Sequence, residues 1–228
     1  MYDYDINRIH GGVSDEWIEK YRAFEESASI NECLRENGAL THDFRPVWPG
    51  SRAVGRAFTV QCRAGDNLII HKAITMLGKN DFLIITCDGF RESGGMFGGM
   101  MSTTAQKFGC SGLVIDGCVR DTMLMKEIGF PVWSRGVSIR KSTKLTPGKI
   151  NVPVVIGGIL IEPGQLIFAD NDAVVRIPHG EVEAVYEKAK EREESEAARL
   201  EDIIHGDAHT FNEQFRKTLE SLGLTEEE

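Results

Sequence analysis

An arginine and an aspartate stand side by side at positions 120 and 121, downstream of a run with four glycines in six positions: Gly94, Gly95, Gly98 and Gly99. A guanidinium offers a planar, two-pronged grip on a carboxylate or phosphate. An aspartate carboxylate is a hard oxygen ligand for a divalent cation. Glycines let the backbone come close to a ligand or take positive φ. Met100 to Phe108 has a helical pattern that Gly109 is placed to stop. The open N–H groups at the start of that helix would face an anion held by the loop. Together these residues describe a small-anion site with room for a divalent cation.

Other chemistry-bearing residues read as structural. The glycine run lacks G-x-x-x-x-G-K-[ST] and does not fit G-x-G-x-x-G, so no nucleotide fingerprint is present. Of the six histidines (His10, His42, His71, His179, His205, His209), His71, inside an apolar helix, reads as a core residue. Ser102, Thr103 and Thr104 lack a partner base and read as helix-start caps. Asp66-Asn67 is turn chemistry, and Asp116, ahead of Gly117, reads as a turn organiser. Five scattered cysteines with no C-x-x-C pair exclude a disulfide framework or a zinc site. Cys110 and Cys118 read as small core residues.

The totals bound the rest. A chain of 228 residues that is 41% hydrophobic and 27% charged can bury a core without staples. A net charge of −9, a pI of 5.3 and no basic stripe argue against nucleic-acid binding. No apolar run approaches the ~20 residues needed to span a bilayer, and the N-terminus lacks a basic-then-apolar secretory pattern. The expectation is a cytoplasmic protein with no membrane partner.

The elements that must position the site follow from periodicity. Residues 14–36 read as one or two helices, opened by Ser14 ahead of Trp17, Ile18 and Tyr21. Phe44 to Gly50 is a proline-punctuated connection. Strands are expected over Ala53 to Cys62, Phe82 to Thr86 and Leu113 to Ile115, with a helix over Leu68 to Leu77. Thr122 to Ile128 is a short helix, and Phe130 to Trp133 a strand whose Pro131 suggests an edge. Short strands at 152–156, 159–161, 166–169 and 174–177 follow at hairpin spacing. Glu181 to about Ile204 is a long charged helix with one apolar stripe. βα units followed by a β-meander predict a compact α/β domain with more than one sheet layer, covering residues 1–180. Residues 181–228 are expected as a helical arm, either solvated or packed on a neighbouring subunit.

Several segments resemble one known family. Gly112 to Asp121 (GLVIDGCVRD), Asn151 to Gly158 (NVPVVIGG) and Glu162 to Val175 (EPGQLIFADNDAVV) carry the likeness. RPVWPG from Arg45 and GDNLIIHKAI from Gly65 support it. They resemble the family that includes 4-hydroxy-4-methyl-2-oxoglutarate/4-carboxy-4-hydroxy-2-oxoadipate aldolase and the regulator of ribonuclease activity A. The likeness covers roughly residues 28–205.

The resemblance implies a three-layer ββα swivelling-domain fold, with homotrimers or homohexamers that form active sites between subunits. It implies a class II lyase that releases pyruvate from a 4-hydroxy-2-oxo acid, with Mg²⁺ or Mn²⁺ polarising the 2-oxo group. Asp121 would hold the metal and Arg120 would grip the carboxylate and the developing enolate. Gly98, Gly99 and the amides of Met100 and Met101 would line the carboxylate site. Glu196 of a neighbour's helix, or else Glu193, would complete the water shell. Oxaloacetate decarboxylation would pass through the same enolate. Alternatives are a diverged enzyme acting on another carboxylated molecule, and a non-catalytic protein-binding regulator. One departure is visible: the aldolase motif has an aspartate, twenty residues, then Arg-Asp, and the position of that aspartate is Gly99 here. Asp88 and Glu92 are the nearby carboxylates that could replace it.

Overall fold

The computed structural model describes residues 4–9, 11–87, 94–206 and 209–224, without the side chains of 209–214. In chain order its elements begin with β1 (Asp5–Ile6), α1 (Asp15–Tyr21), α2 (Ser27–Cys33), β2 (Arg45–Pro46), β3 (Ala53–Gln61) and α3 (Leu68–Ile74). Next come β4 (Asp81–Thr86), β5 (Gly95–Phe97), α4 (Gly99–Lys107), β6 (Gly112–Val119), α5 (Thr122–Glu127) and β7 (Val132–Val137). The strands β8 (Lys149–Ile150), β9 (Val154–Ile156), β10 (Ile159–Ile161), β11 (Leu166–Ala169) and β12 (Val174–Ile177) precede α6 (Val182–His205) and α7 (His209–Ser221).

Strands β3, β4, β6 and β7 are parallel neighbours in that order, joined through α3, α4 and α5. When such crossovers are right-handed and always step the same way, their helices fall on one face of the sheet. The alternation of side chains along each strand then builds two cores. Leu83, Ile85, Leu113, Ile115 and Val132 pack with Ile70 and Ile74 of α3, Met101 and Ala105 of α4, and Met125 of α5. Phe82, Ile84, Val114 and Trp133 face the other way, against Leu40, Phe44 and the β9–β10 hairpin. That hairpin turns at Gly157 and Gly158, both at positive φ. Helices, large sheet and small sheet make an α/β fold with the expected ββα layering. Every residue of β4 and β6 is buried, as suits parallel strands covered on both faces.

Some local expectations change. Arg45–Pro46 is a two-residue strand paired with β7, so β7 lies inside the sheet and Pro131 falls just before it. The glycine run is not all loop, because Gly95 to Phe97 pair with the end of β6. They can do so because β6 continues past Ile115 to Val119. Asp116 therefore lies within the strand, buried and ion-paired with Arg135 of β7, rather than in a turn. Arg135 also reaches Asp43 and lies over the Phe44 ring. His71 is on the exposed face of α3. Cys110 and Cys118 are buried in the core, as expected, and neither forms a disulfide.

The chain divides into a unit of residues 1–186 and one of 187–228. In the first, Trp17, Tyr21, Phe24 and Tyr186 form a ring cluster, and the Tyr21 hydroxyl donates to the Val182 carbonyl at 2.8 Å. The second is charged helix with i,i+4 ion pairs, Arg192–Glu196 and Arg216–Glu220 among them. Among the described residues no helix is long and apolar enough to cross a membrane.

Candidate active site

The site is built where β5 and β6 end together. The Arg120 N–H donates to the Phe97 carbonyl at 2.9 Å, which fixes the exit of β6 beside the glycine run. Asp121 then takes the left-handed conformation, φ 61° and ψ 38°, and opens α5. Aspartate tolerates this region better than most residues. The turn sends its side chain away from its own helix. Its Oδ2 accepts the Gly99 N–H at 3.0 Å and so caps α4 instead. A carboxylate there also meets the positive end of the helix dipole. Arg120 Nε stands 3.8 Å from the same Oδ2, and both side chains remain about half accessible.

The glycines are needed because these two side chains press on the backbone. A Cβ on Gly98 would stand 2.8 Å from Asp121 Oδ2 and 3.1 Å from Arg120 Nε. A Cβ on Gly95 would meet the Ser138 carbonyl oxygen at 2.4 Å and Arg120 Cδ at 3.0 Å. A Cβ on Gly99 would meet Leu124 Cδ2 at 2.5 Å. The glycine run is thus a cradle for the Arg120 stem and the Asp121 carboxylate.

Met100 and Met101 follow in the first turn of α4, where backbone N–H groups have no carbonyl four residues back within the helix. Their side chains differ: Met100 is 81% exposed, whereas Met101 is in the core. Only the backbone of Met101 can serve the site. Ser102, Thr103 and Thr104 donate to the carbonyls of Gly98, Gly99 and Met100, at 3.1, 3.0 and 2.8 Å. They bond back along the helix rather than cap it, and among the described residues no base is paired with them.

Three supporting residues escaped the sequence reading. Asn67 Nδ2 donates to the Met96 carbonyl at 2.9 Å, tying the start of α3 to β5. The Ser142 hydroxyl donates to the Gly95 carbonyl at 3.2 Å. Asp66 Oδ2 accepts the Thr143 hydroxyl and the N–H groups of Leu145 and Thr146, at 2.7, 2.6 and 3.1 Å. Burial works to raise the Asp66 carboxyl, but these donors and the Leu68 N–H outweigh it and hold it below the usual range. Asp66 thereby organises the loop that carries Ser142 to the cradle. Asp66-Asn67 does look like a turn in sequence, and no local signal reveals these distant partners.

The residues present suit a cation that keeps most of its water. Asp121 Oδ1 takes no hydrogen bond among the described residues, leaving one carboxylate oxygen open beside the guanidinium. No group of three or more His, Cys, Asp or Glu that could hold a metal occurs among the described residues. Mg²⁺ is commonly held by one or two carboxylates plus substrate and water. Asp88 and Glu92 lie outside the described residues. Glu196 lies on α6, its Oε1 2.7 Å from Arg192 Nη2. Arg120 and Asp121, each about half accessible, line neither of two surface cavities of about 630 and 410 Å³.

A family model described as RraA-like, Aldolase/RraA, matches residues 13–176. A Halalkalibacterium halodurans protein named "Putative 4-hydroxy-4-methyl-2-oxoglutarate aldolase" is 35% identical over 184 residues, 81% of this chain and 87% of that protein. An Arabidopsis thaliana protein with the same name and the number 3 is 36% identical over 159 residues, 66% of this chain and 91% of its own. A solved structure from Pseudomonas syringae pv. tomato has a TM-score of 0.78 at 27% identity, covering 88% of this chain and 94% of that one. Streptomyces coelicolor RraAS2, described as an unusual member of the RNase ES inhibitor RraA protein family, has a TM-score of 0.74 at 24% identity, with 84% and 98% covered. At that identity the likeness is one of fold.

Proposed function

The chain belongs to the RraA-like family, and we propose that it is a divalent-metal-dependent lyase that releases pyruvate from a 4-hydroxy-2-oxo di- or tricarboxylic acid. The observation that carries this reading is the shared position of Arg120 and Asp121 at the start of α4. One group there can grip a carboxylate while the other offers an open oxygen to a cation. The names of the relatives point to the same reaction class.

In the proposed reaction the substrate carboxylate lies on the Arg120 guanidinium and the N–H groups of Met100 and Met101. The C4 hydroxyl gives its proton to solvent water, and the oxygen electron pair becomes the C4 carbonyl as the C3–C4 bond breaks. The released pair forms the enolate of pyruvate, which takes a proton from solvent water at C3. Held by Asp121, Mg²⁺ or Mn²⁺ would supply Lewis-acid polarisation of the 2-oxo group. Arg120 stabilises the enolate oxygen where charge accumulates, and its stem is already fixed by Gly95 and Gly98, so little reorganisation is needed. Oxaloacetate would lose carbon dioxide through the same enolate. A homotrimer or homohexamer would cover Arg120 and Asp121, and the long helix of a second copy would bring Glu196, or Glu193, to the water shell.

Purified protein with saturating Mg²⁺ or Mn²⁺ should release pyruvate from 4-hydroxy-4-methyl-2-oxoglutarate or from oxaloacetate, and should stop when the metal is chelated. Absence of both activities removes the reading. The contact between position 99 and Leu124 favours one second reading, a site diverged toward another carboxylated small molecule.

A further inference from the structure

The larger cavity, about 630 Å³, lies at the other end of the sheet from Arg120 and Asp121. Its wall includes Asp81, the first residue of β4, and Lys72, Thr75 and Met76 in and just beyond α3. Phe82 is paired with Gly112, so Asp81 sits where β6 begins, whereas Arg120 follows the last residue of β6. An eight-residue strand spans about 26 Å at ~3.3 Å per residue. The cavity is therefore separate from the candidate active site.

Its lining is cationic on a chain of net charge −9. The side chains of Arg8 and Lys72 make no ion pair or hydrogen bond among the described residues. Arg56, by contrast, is consumed by the fold. Its Nη1 donates to the Val13 carbonyl at 2.8 Å, and its Nη2 to Asp15 Oδ1 and the Lys79 carbonyl at 3.1 Å each. Its Nε lies 3.5 Å from Asp81 Oδ1. Asp81 Oδ2 in turn accepts the Gly78 N–H at 2.7 Å. The Arg56–Asp81 pair is neutral as a wall, and two uncompensated cations remain over a partly apolar floor of Ile9, Phe58 and Met76.

Two unpaired cations on one concave surface draw a multiply charged anion, because the low-dielectric walls focus their field. A phosphate monoester carries about −1.5 to −2 at pH 7 and has three acceptor oxygens. The volume lies within the ~300–1,000 Å³ typical of small-molecule sites. We propose that this cavity is a second small-molecule site, which binds a phosphate monoester with an apolar or aromatic body. Arg8 and Lys72 take the phosphate, and Ile9, Phe58 and Met76 take the body.

Calorimetric titration of the full chain tests this with phenyl phosphate, inorganic phosphate and benzoate as probes. Phenyl phosphate should bind saturably and at least tenfold more tightly than inorganic phosphate, which lacks the body, or benzoate, which lacks the second charge. The Arg8→Gln/Lys72→Gln variant should lose at least tenfold in affinity, while Arg120→Ala should bind as the parent does. Both substituted residues are exposed, so an unchanged thermal midpoint confirms that the fold survives. No saturable binding, equal affinity for inorganic phosphate, or binding indifferent to the double substitution would each overturn the proposal. So would loss of binding in Arg120→Ala.

Discussion

Leu124 Cδ2 lies 2.5 Å from the point where a side chain on Gly99 would begin. The glycine and the leucine are thus one packing unit, across the gap between the first turns of α4 and α5. Gly99→Asp alone should not restore an acid to the site, because Leu124 must first move. Overpacking of this kind costs about 1–3 kcal/mol, so the thermal midpoint should fall. Gly99→Asp with Leu124→Ala should recover it and place the new carboxylate beside Asp121. Thermal denaturation of both variants checks the packing, and pyruvate release checks the chemistry.

Gly98→Ala and Gly95→Ala should fail differently. The added methyl at 98 meets the Asp121 carboxylate and the Arg120 side chain, both about half accessible, rather than backbone. Pyruvate release should drop about 10–100-fold, the usual cost of disturbing how site groups are held, with the midpoint nearly unchanged. At 95 the methyl meets a backbone carbonyl, that of Ser138, at 2.4 Å. Stability should fall there along with activity. The pair of melting curves separates the two cases.

Arg120→Lys should not rescue Arg120→Ala. An ammonium keeps the charge but loses the planar, two-pronged grip. Removing one donor aimed at a developing oxyanion typically costs about 10²–10³ in turnover. Both variants should fall in that range, with kcat/KM for the 2-oxo acid as the measure.

Asp66 predicts an acid-side stability loss. Its folded carboxyl lies below the ordinary unfolded value of about 3.9. A group lowered on folding contributes stability that is fully present above the unfolded value. That contribution is lost as pH falls through the folded one. Asp66→Asn should therefore melt lower than the parent at pH 7, and the gap should narrow below about pH 4 as the parent's own carboxyl takes its proton. Melting curves between pH 7 and 3 check the sign.

Much of the site was legible because its parts are adjacent in the chain. Arg120 and Asp121 are neighbours, the glycines precede them by one helix, and the 3.6- and 2-residue periods placed α3, α4, β3 and β4 near their ends. What escaped depends on partners far away in sequence. Asp116 looks like a turn residue until Arg135, which Asp43 also holds, pairs with it inside the sheet. β5 looks like loop because glycines have little strand propensity, and pairing with β6 overrides it. Nothing near Gly99 announces Leu124, and nothing near Asp66 announces Leu145 and Thr146.

The central claim is that the open oxygen of Asp121 and the guanidinium of Arg120 take a divalent cation and an enolate-like anion together. Mn²⁺ binding followed by electron paramagnetic resonance, with and without oxalate as the enolate mimic, tests it most directly. The parent should bind Mn²⁺ saturably and more tightly once oxalate is added. Asp121→Ala should lose the ion, and Arg120→Ala should keep it but lose the oxalate effect. Unchanged Mn²⁺ binding in Asp121→Ala would contradict the account.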